Sequence, residues 1–117
     1  MLSQLTSIGI NGIEAFLVRI EVDTIRGLPG FTIVGLPDST VKESRERIRS
    51  AIENSGYEFP PKHFVVNLAP AGWKKQGSSF DLPIALAILF VSGQIAHIPS
   101  FPIVGELSLD GAVRFVS

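Results

Sequence analysis

A run of apolar residues at positions 82–91 constrains the fold of this chain more than any other feature of the sequence. Nearly every residue in the run is apolar, so a helix formed from it has no side that favours water and must be covered on most sides. Pro83 suits the first turn of that helix, where a missing N–H does no harm. Ser78 or Ser79 can cap the helix, and Ser78 has capping-box spacing to Asp81. The sequence therefore predicts a buried helix that begins just after a pair of serines.

The segment that precedes this helix combines positive charge with free backbone donors. It reads as the end of a buried strand followed by a polar loop that carries Lys74 and Lys75. The N–H groups of Gly77, Ser78 and Ser79 would then lie at the start of a helix, where unpaired donors and the helix dipole favour anions. These five residues are our first candidates for contact with an anion, a phosphate group or DNA.

Composition limits the functions that such a site can serve. Hydrophobic residues make up 45% of the 117 residues and charged residues 18%, which suits a single domain covering residues 1–117. The net charge of −1 means that contact with nucleic acid has to come from a local basic patch. Cysteine is absent, which excludes disulfides and thiolate metal sites. The apolar run is about half the length needed to cross a bilayer, and no targeting segment is visible. We therefore expect a cytoplasmic protein without membrane contact.

Periodicity in the sequence predicts a mixed fold. Alternating apolar and polar residues predict strands at 3–10, 13–23, 31–34, 63–69, 101–109 and 112–116, with a helix at about 39–54. Asn11-Gly12 and Asp110-Gly111 are typical two-residue hairpin turns. This order predicts an α+β fold with two helices on one side of a mixed sheet, which the last hairpin completes. Because no closing element follows that hairpin, we expect the chain to be the front piece of a longer protein.

The predicted helix at 39–54 carries a second group of basic residues. Asp38 or Ser39 can cap this helix. Lys42, Arg45 and Arg49 share one of its faces, where they could contact phosphate groups. The alternative is a self-paired, solvated surface with three ion pairs at i,i+4 spacing, namely Lys42 with Glu46, Glu43 with Arg47, and Arg49 with Glu53. The sequence favours the self-paired surface and leaves the phosphate contact as the second interpretation.

Two further patterns carry no chemistry by themselves. Residues 30–35 imitate the glycine spacing of a phosphate-binding loop, but Leu36 and Pro37 stand where lysine and serine or threonine are required. We interpret that segment as turn residues. His63 and His97 have no second ligand at the spacing of a metal site, so we predict no metal centre.

Ser79 with Lys74 or Lys75 has the composition of a serine–lysine peptidase site. A nucleophilic serine needs a base within hydrogen-bond reach, and a lysine in that role must be desolvated. Both lysines lie in a polar loop, so we predict no catalytic residue in this segment and keep the peptidase as an alternative. Another alternative is an anion- or nucleotide-sensing domain that uses the helix start after Gly77.

Five motifs follow one another along the chain in a specific order. They are GFTIVGLPDS (30–39), KESRER (42–47), NLAPAG (67–72), FDLPIA (80–85) and GELSLDG (105–111). Together they resemble the amino-terminal domain of the ComM/YifB family, the bacterial magnesium-chelatase-like AAA+ ATPases. The resemblance covers nearly the whole chain. It implies a fold similar to domain 2 of ribosomal protein S5, which the Lon protease domain shares.

The resemblance also implies a role. It implies a non-catalytic module, with no cofactor of its own, at the start of a motor whose absent remainder binds ATP and Mg. The implied partners are the rest of the same chain, further copies in a homo-hexamer, and DNA during processing such as branch migration in natural transformation. The Lon nucleophile falls near Ser79, but the matching catalytic lysine would lie beyond Ser117, so no catalytic role is carried over.

Overall fold

The computed structural model describes residues 2–11, 14–69, 80–98, 102–103, 106–109 and 113–114. The elements in chain order are β1 (Ser3–Asn11), β2 (Glu14–Ile25), β3 (Gly30–Val34), α1 (Asp38–Asn54), β4 (His63–Ala69), α2 (Asp81–Val91), β5 (Glu106–Leu107) and β6 (Val113–Arg114). The first four strands form a mixed sheet in the order β1-β2-β4-β3. β2 is antiparallel to both of its neighbours, whereas β3 and β4 are parallel. The parallel pair is joined through α1, because parallel neighbours need a long crossover connection.

The alternating sequence of β2 decides which face of the sheet is buried. Val18 and Ile20 are fully buried, whereas Arg19 between them is exposed and Leu17 before them is 64% exposed. The register carries this pattern to both neighbours, because Ile20 pairs with Leu5 of β1 and Leu68 of β4, and both of these are buried. The predicted alternation is therefore confirmed.

Both helices cover that buried face. α2 contacts β1, β2 and α1, and α1 contacts β3. On α2, Ile84 and Ile88 are fully buried, and the predicted apolar stripe of α1 (Val41, Ile48, Ala51 and Ile52) is buried as well. Thr32 and Asn67 on the opposite face of the sheet are exposed. The α+β prediction, with two helices on one side of a mixed sheet, is confirmed for the described residues.

The start of α1 differs from the predicted cap. The helix begins at Asp38 with Pro37 as its N-cap, and no side chain makes a capping hydrogen bond there. The N–H of Val41 donates to the carbonyl of Pro37 at 3.0 Å. The prediction that Asp38 or Ser39 is the cap is therefore wrong. Proline takes the position because its fixed φ suits the extended backbone of an N-cap, here φ −62° and ψ 149°.

The first hairpin is offset by one residue from the prediction. β1 extends through Asn11, which pairs with Glu14. The two strands are therefore joined through residues 12 and 13, which lie outside the described residues, and not through Asn11-Gly12.

The last hairpin does not complete the main sheet. β5 and β6 pair antiparallel, as predicted, but among the described residues they form a separate two-stranded sheet. Leu107 of β5 is buried, and this strand contacts both helices. Within the described residues, β5 therefore packs against the helices and does not pair with a strand of the main sheet. The N–H of Ile103, upstream of β5, still reaches β1, where it donates to the carbonyl of Thr6 at 2.8 Å.

Position 30 requires glycine because a neighbouring side chain lies very close to its Cα, and not because the residue lies in a turn. It opens β3, and a Cβ atom at this position would lie 2.9 Å from Nδ1 of His63 on the neighbouring strand. The His63 ring lies between Oγ1 of Thr32, at 3.4 Å from Nε2, and the carbonyl of Leu28, at 3.2 Å from Nδ1. The turn interpretation is right for Gly35, which has φ +95°. The predicted strand at 31–34 is confirmed, and Gly30 belongs to it and not to a turn.

The inner face of β1 is lined by small polar residues. Ser3 and Ser7 are buried, and their hydroxyl groups have no hydrogen-bond partner among the described residues. Small side chains at these positions allow α2, which contacts β1, to approach the sheet closely. Each unpaired hydroxyl lowers stability, because it has lost its water without gaining a partner.

We expect Ser7→Ala to raise the free energy of unfolding by roughly 1 kcal/mol, because it removes an unpaired buried hydroxyl. Ser44→Ala is the matched control, since the buried hydroxyl of Ser44 donates to Asp81 and its loss is expected to cost roughly 1–3 kcal/mol. Urea unfolding of both variants measures the difference. A loss of stability in Ser7→Ala contradicts the assignment of an unsatisfied group.

We expect Gly30→Ala to destabilise the protein by roughly 1–3 kcal/mol, because the added methyl group overlaps the His63 ring. Replacing that ring in the double variant Gly30→Ala/His63→Ala removes the overlap, so the two losses are expected to sum to more than the loss in the double variant. A double-mutant cycle in urea measures this coupling. Additive losses would show that the ring does not restrict residue 30.

Candidate functional site

A buried carboxylate joins the two helices where α2 begins. Asp81 is the first residue of α2 and is fully buried. The hydroxyl of Ser44 donates to its Oδ1 at 2.7 Å, and Nε of Arg47 donates to its Oδ2 at 2.5 Å. Nη2 of Arg47 also lies 3.3 Å from the Ser44 hydroxyl. We call Ser44, Arg47 and Asp81 the helix clamp.

The sequence of α1 places both donors on one side of the helix. Ser44 lies within the buried stripe, between Val41 and Ile48, and is itself fully buried. Arg47 is three residues further along, and its side chain is 28% exposed. A long side chain can run along apolar surface while its charged end bridges interior and solvent. The carboxylate also lies in the first turn of α2, where the helix dipole favours negative charge.

The helix clamp matters because a buried charge is stable only when it is paired. Removing a carboxylate from water costs several kcal/mol, which hydrogen-bonded partners must offset. Here one ionic and one neutral donor come from the same helix, so the first turn of α2 is tied to the middle of α1.

Only some of the basic residues on the predicted face of α1 are free of ion pairs with other described residues. Arg49 bonds to Glu53 at 2.9 Å, as predicted, and the hydrogen bond and the negative charge of Glu53 raise the pKa of Arg49. Lys42 is exposed and forms no ion pair within the described part of the chain. Arg45 is half-buried, and in the part of the chain that the structure describes its Nε has no hydrogen-bond partner. Lys42 and Arg45 are therefore the candidates on this face that keep unpaired charge.

Two of the three predicted i,i+4 pairs are wrong. Arg47 turns inward to Asp81 and does not pair with Glu43, and among the described residues Lys42 and Glu46 make no ion pair. The surface of α1 is thus less self-paired than predicted. The helix nevertheless contains four basic and four acidic residues, so as a whole it is close to neutral. Long-range attraction of nucleic acid to α1 alone is therefore weak.

The candidates of the basic loop, Lys74, Lys75, Gly77, Ser78 and Ser79, lie outside the described residues. The structure describes the elements on either side of them. β4 ends at Ala69, and α2 begins at Asp81 with Phe80 as its N-cap and no capping side chain. The cap is therefore Phe80 and not a serine. The loop candidates remain predictions, as does the serine–lysine alternative.

The two histidines and the acidic residues do not assemble into a larger site. His63 bonds at the start of β4, as described above, and His97 is exposed. Within the described ranges, no three His, Cys, Asp or Glu residues are grouped so that they could hold a metal ion. None of the described helices is long and apolar enough to span a membrane.

Comparison with known proteins shows the family. The family described as Subunit ChlI of Mg-chelatase matches residues 20–117. The chain is also 53% identical to the protein YifB of Salmonella typhimurium, over 90% of this chain and 21% of that protein. It is 50% identical to the competence protein ComM of Haemophilus influenzae over the same shares. The chain belongs to the magnesium-chelatase-like family of ComM and YifB. It spans about a fifth of the length of these relatives.

The helix clamp lies inside two of the motifs that carry the resemblance to ComM and YifB. Ser44 and Arg47 belong to KESRER (42–47), and Asp81 belongs to FDLPIA (80–85). Reasoning from the sequence missed these residues as a group. The available signal was a serine within an apolar helical stripe, together with a carboxylate at the start of an apolar helix. Such a carboxylate needs a partner from elsewhere in the chain.

We expect Arg47→Ala to lower the free energy of unfolding by roughly 3–5 kcal/mol, because it removes the ion pair that Arg47 makes with a buried carboxylate. Arg49→Ala is the matched control on the same helix and should leave stability nearly unchanged, since its pair is exposed. Urea unfolding measures both.

The triple variant Ser44→Ala/Arg47→Met/Asp81→Leu, which also removes the hydroxyl that would lose its acceptor, separates loss of charge pairing from loss of packing. Replacing a buried ion pair with apolar residues of similar volume is often neutral, so we expect this variant to recover most of the stability lost in Arg47→Ala. Equal losses in Arg47→Ala and Arg49→Ala would contradict the role assigned to the clamp.

Proposed function

We propose that this domain is the non-catalytic N-terminal module of a magnesium-chelatase-like AAA+ ATPase of the ComM/YifB type. The observation that carries the proposal is the match of the ChlI family to residues 20–117, together with half-identical relatives of which the matched segment covers only 21%. The mixed four-stranded sheet with two helices on one face supports a fold similar to domain 2 of ribosomal protein S5. In this proposal ATP and Mg bind to the part of the longer protein outside residues 1–117.

The proposed role of the domain is to support a homo-hexamer in the cytoplasm and to contact DNA. One relative is named a competence protein, which supports DNA as the substrate. Branch migration during natural transformation is the process that we propose for the longer protein. The chain as a whole has a net charge of −1, so the contact must come from a local group of cations.

We place the main DNA contact at Lys74 and Lys75, with the backbone N–H groups of residues 77–79 beside them. The helix clamp supports this placement, because it fixes the start of α2 directly after the loop. A helix start that is held in place limits the motion of the loop before it, which lowers the entropy lost when that loop binds a phosphate. Lys42 and Arg45 are weaker candidates, because α1 is neutral as a whole, and Arg49 is weaker still because Glu53 already pairs with it.

We expect Lys74→Glu/Lys75→Glu in the full-length protein to weaken binding to duplex DNA and to flatten its salt dependence. Each lost phosphate contact lowers the slope of log K against log salt by about 0.9. Fluorescence anisotropy over a salt series measures this slope.

Lys62→Glu is the matched control, because Lys62 is exposed and directly precedes β4, at the opposite end of that strand from the loop. It changes the charge of the domain without touching the proposed contact. If the loop variant keeps the wild-type slope, or if Lys62→Glu changes the slope as much, the assignment of Lys74 and Lys75 is wrong.

A further inference from the structure

An exposed apolar side chain stands on the turn between β2 and β3. Leu28 is 85% exposed, more than any other large apolar side chain of the described residues. Nδ1 of His63 donates to the carbonyl of Leu28 at 3.2 Å, so the turn is fixed to the start of β4. The exposed apolar side chains of the strands, Leu17, Ile25 and Val34, stand on a flat sheet and cannot enter a narrow site. Leu28 differs from them because it projects from a fixed turn.

An apolar groove between the two helices and β5 has the size of one such side chain. Its volume is about 160 Å³, and buried Ile52 and Leu107 line it together with half-buried Leu82 and Leu86. Sites for small molecules usually occupy about 300–1,000 Å³, whereas an apolar cavity of about 150 Å³ can hold a benzene ring. A leucine side chain is no larger than that ring. The groove is therefore suited to one apolar side chain and not to a cofactor.

Opposite charges lie beside the exposed leucine and beside the groove. Arg26, two residues before Leu28, is exposed, and so is Glu58, which follows the groove residue Tyr57. Neither charge forms an ion pair with another described residue. The side chain of Gln94 fixes the backbone of Glu58, accepting from its N–H at 2.8 Å and donating to its carbonyl at 2.7 Å. Such complementary charges set the orientation in which two surfaces meet.

We propose that Leu28 of one copy of this chain inserts into the groove of a second copy, where Arg26 pairs with Glu58 of that second copy. Within one chain the two features stay apart, because His63 holds the turn at the end of the sheet while the helices and β5 form the groove. Each copy offers one leucine and one groove, so the contact is head-to-tail and can close into a ring. The inference rests on the proposed function in one respect, that copies of the protein assemble.

Cross-linking between chains of the full-length protein tests this contact. Residues 1–117 contain no cysteine, so cysteines can be placed at will in a background freed of any others. One chain carries Pro29→Cys, next to the exposed leucine, and a differently tagged chain carries Ser55→Cys, an exposed position that lines the groove. After co-expression, we expect a short bis-maleimide to link the two chains. Leu17→Cys, on the opposite face of the sheet, replaces Pro29→Cys as the matched control and should give no link.

Substitutions at the contact show whether the link depends on the proposed interactions. Leu28→Asp in the chain with Pro29→Cys is expected to lower the yield of the link about tenfold, because burial of the leucine is lost. Since Leu28 is exposed, this change removes no core packing. Arg26→Glu should lower the yield less, and Glu58→Arg in the chain with Ser55→Cys should restore it.

The outcomes separate this contact from the wider proposal. Absence of a link between the two variants, a link that survives Leu28→Asp, or an equal link from Leu17→Cys would each overturn the contact. Sedimentation velocity of the unlinked protein measures assembly independently. If the copies assemble but no link forms, the contact is wrong and the proposed assembly stands. If the full-length protein is a monomer, the proposed homo-hexamer fails, and this contact fails with it.

Discussion

A negative charge inside the protein, at the first turn of an otherwise apolar helix, decides how the two helices meet. Apolar contacts have little directionality, so the hydrophobic surface of α2 alone would allow it to slide or rotate against the sheet. Hydrogen bonds to a charged group are directional and costly to break. Because Asp81 is fully buried and receives donors from both Ser44 and Arg47, α2 is held in one position relative to α1.

The parts of the fold that could be predicted are those with a simple period. In β2, apolar residues at every second position identify the buried face, and one residue of slip would expose all of them. In α1, helical spacing identifies the buried stripe, and in α2 the unbroken apolar run identifies a covered helix. These signals are local and repeated, so an isolated irregularity does not obscure them. Within these elements the ends are less predictable than the buried faces, as the cap at Pro37 shows.

The parts that could not be predicted depend on contacts between residues far apart in sequence. Glu43 and Arg47 have the right spacing for a pair, but an exposed i,i+4 pair contributes only about 0.3–0.5 kcal/mol. The buried carboxylate of Asp81 needs a cation far more, so the distant partner prevails. The need for glycine at position 30 could not be predicted either, because it comes from a histidine ring on another strand. For the candidate site, the sequence identified the basic residues but not which of them form ion pairs with acidic residues of the same domain.

The engagement of those cations changes what α1 can contribute to DNA binding under the proposed function. With Arg47 turned inward and Arg49 paired, the free charge of Lys42 and Arg45 is opposed by nearby acidic residues on the same helix. Such a surface attracts DNA only over distances shorter than the Debye length, about 8 Å at physiological salt. Under the proposed function, each domain would therefore supply a weak contact through α1. In the proposed hexamer, six weak contacts held in fixed positions would act together, because every contact after the first forms at a high effective concentration. A rigid connection between α1 and α2 would then increase the affinity for DNA more than additional charge. Contacts that move independently of one another do not keep the high effective concentration.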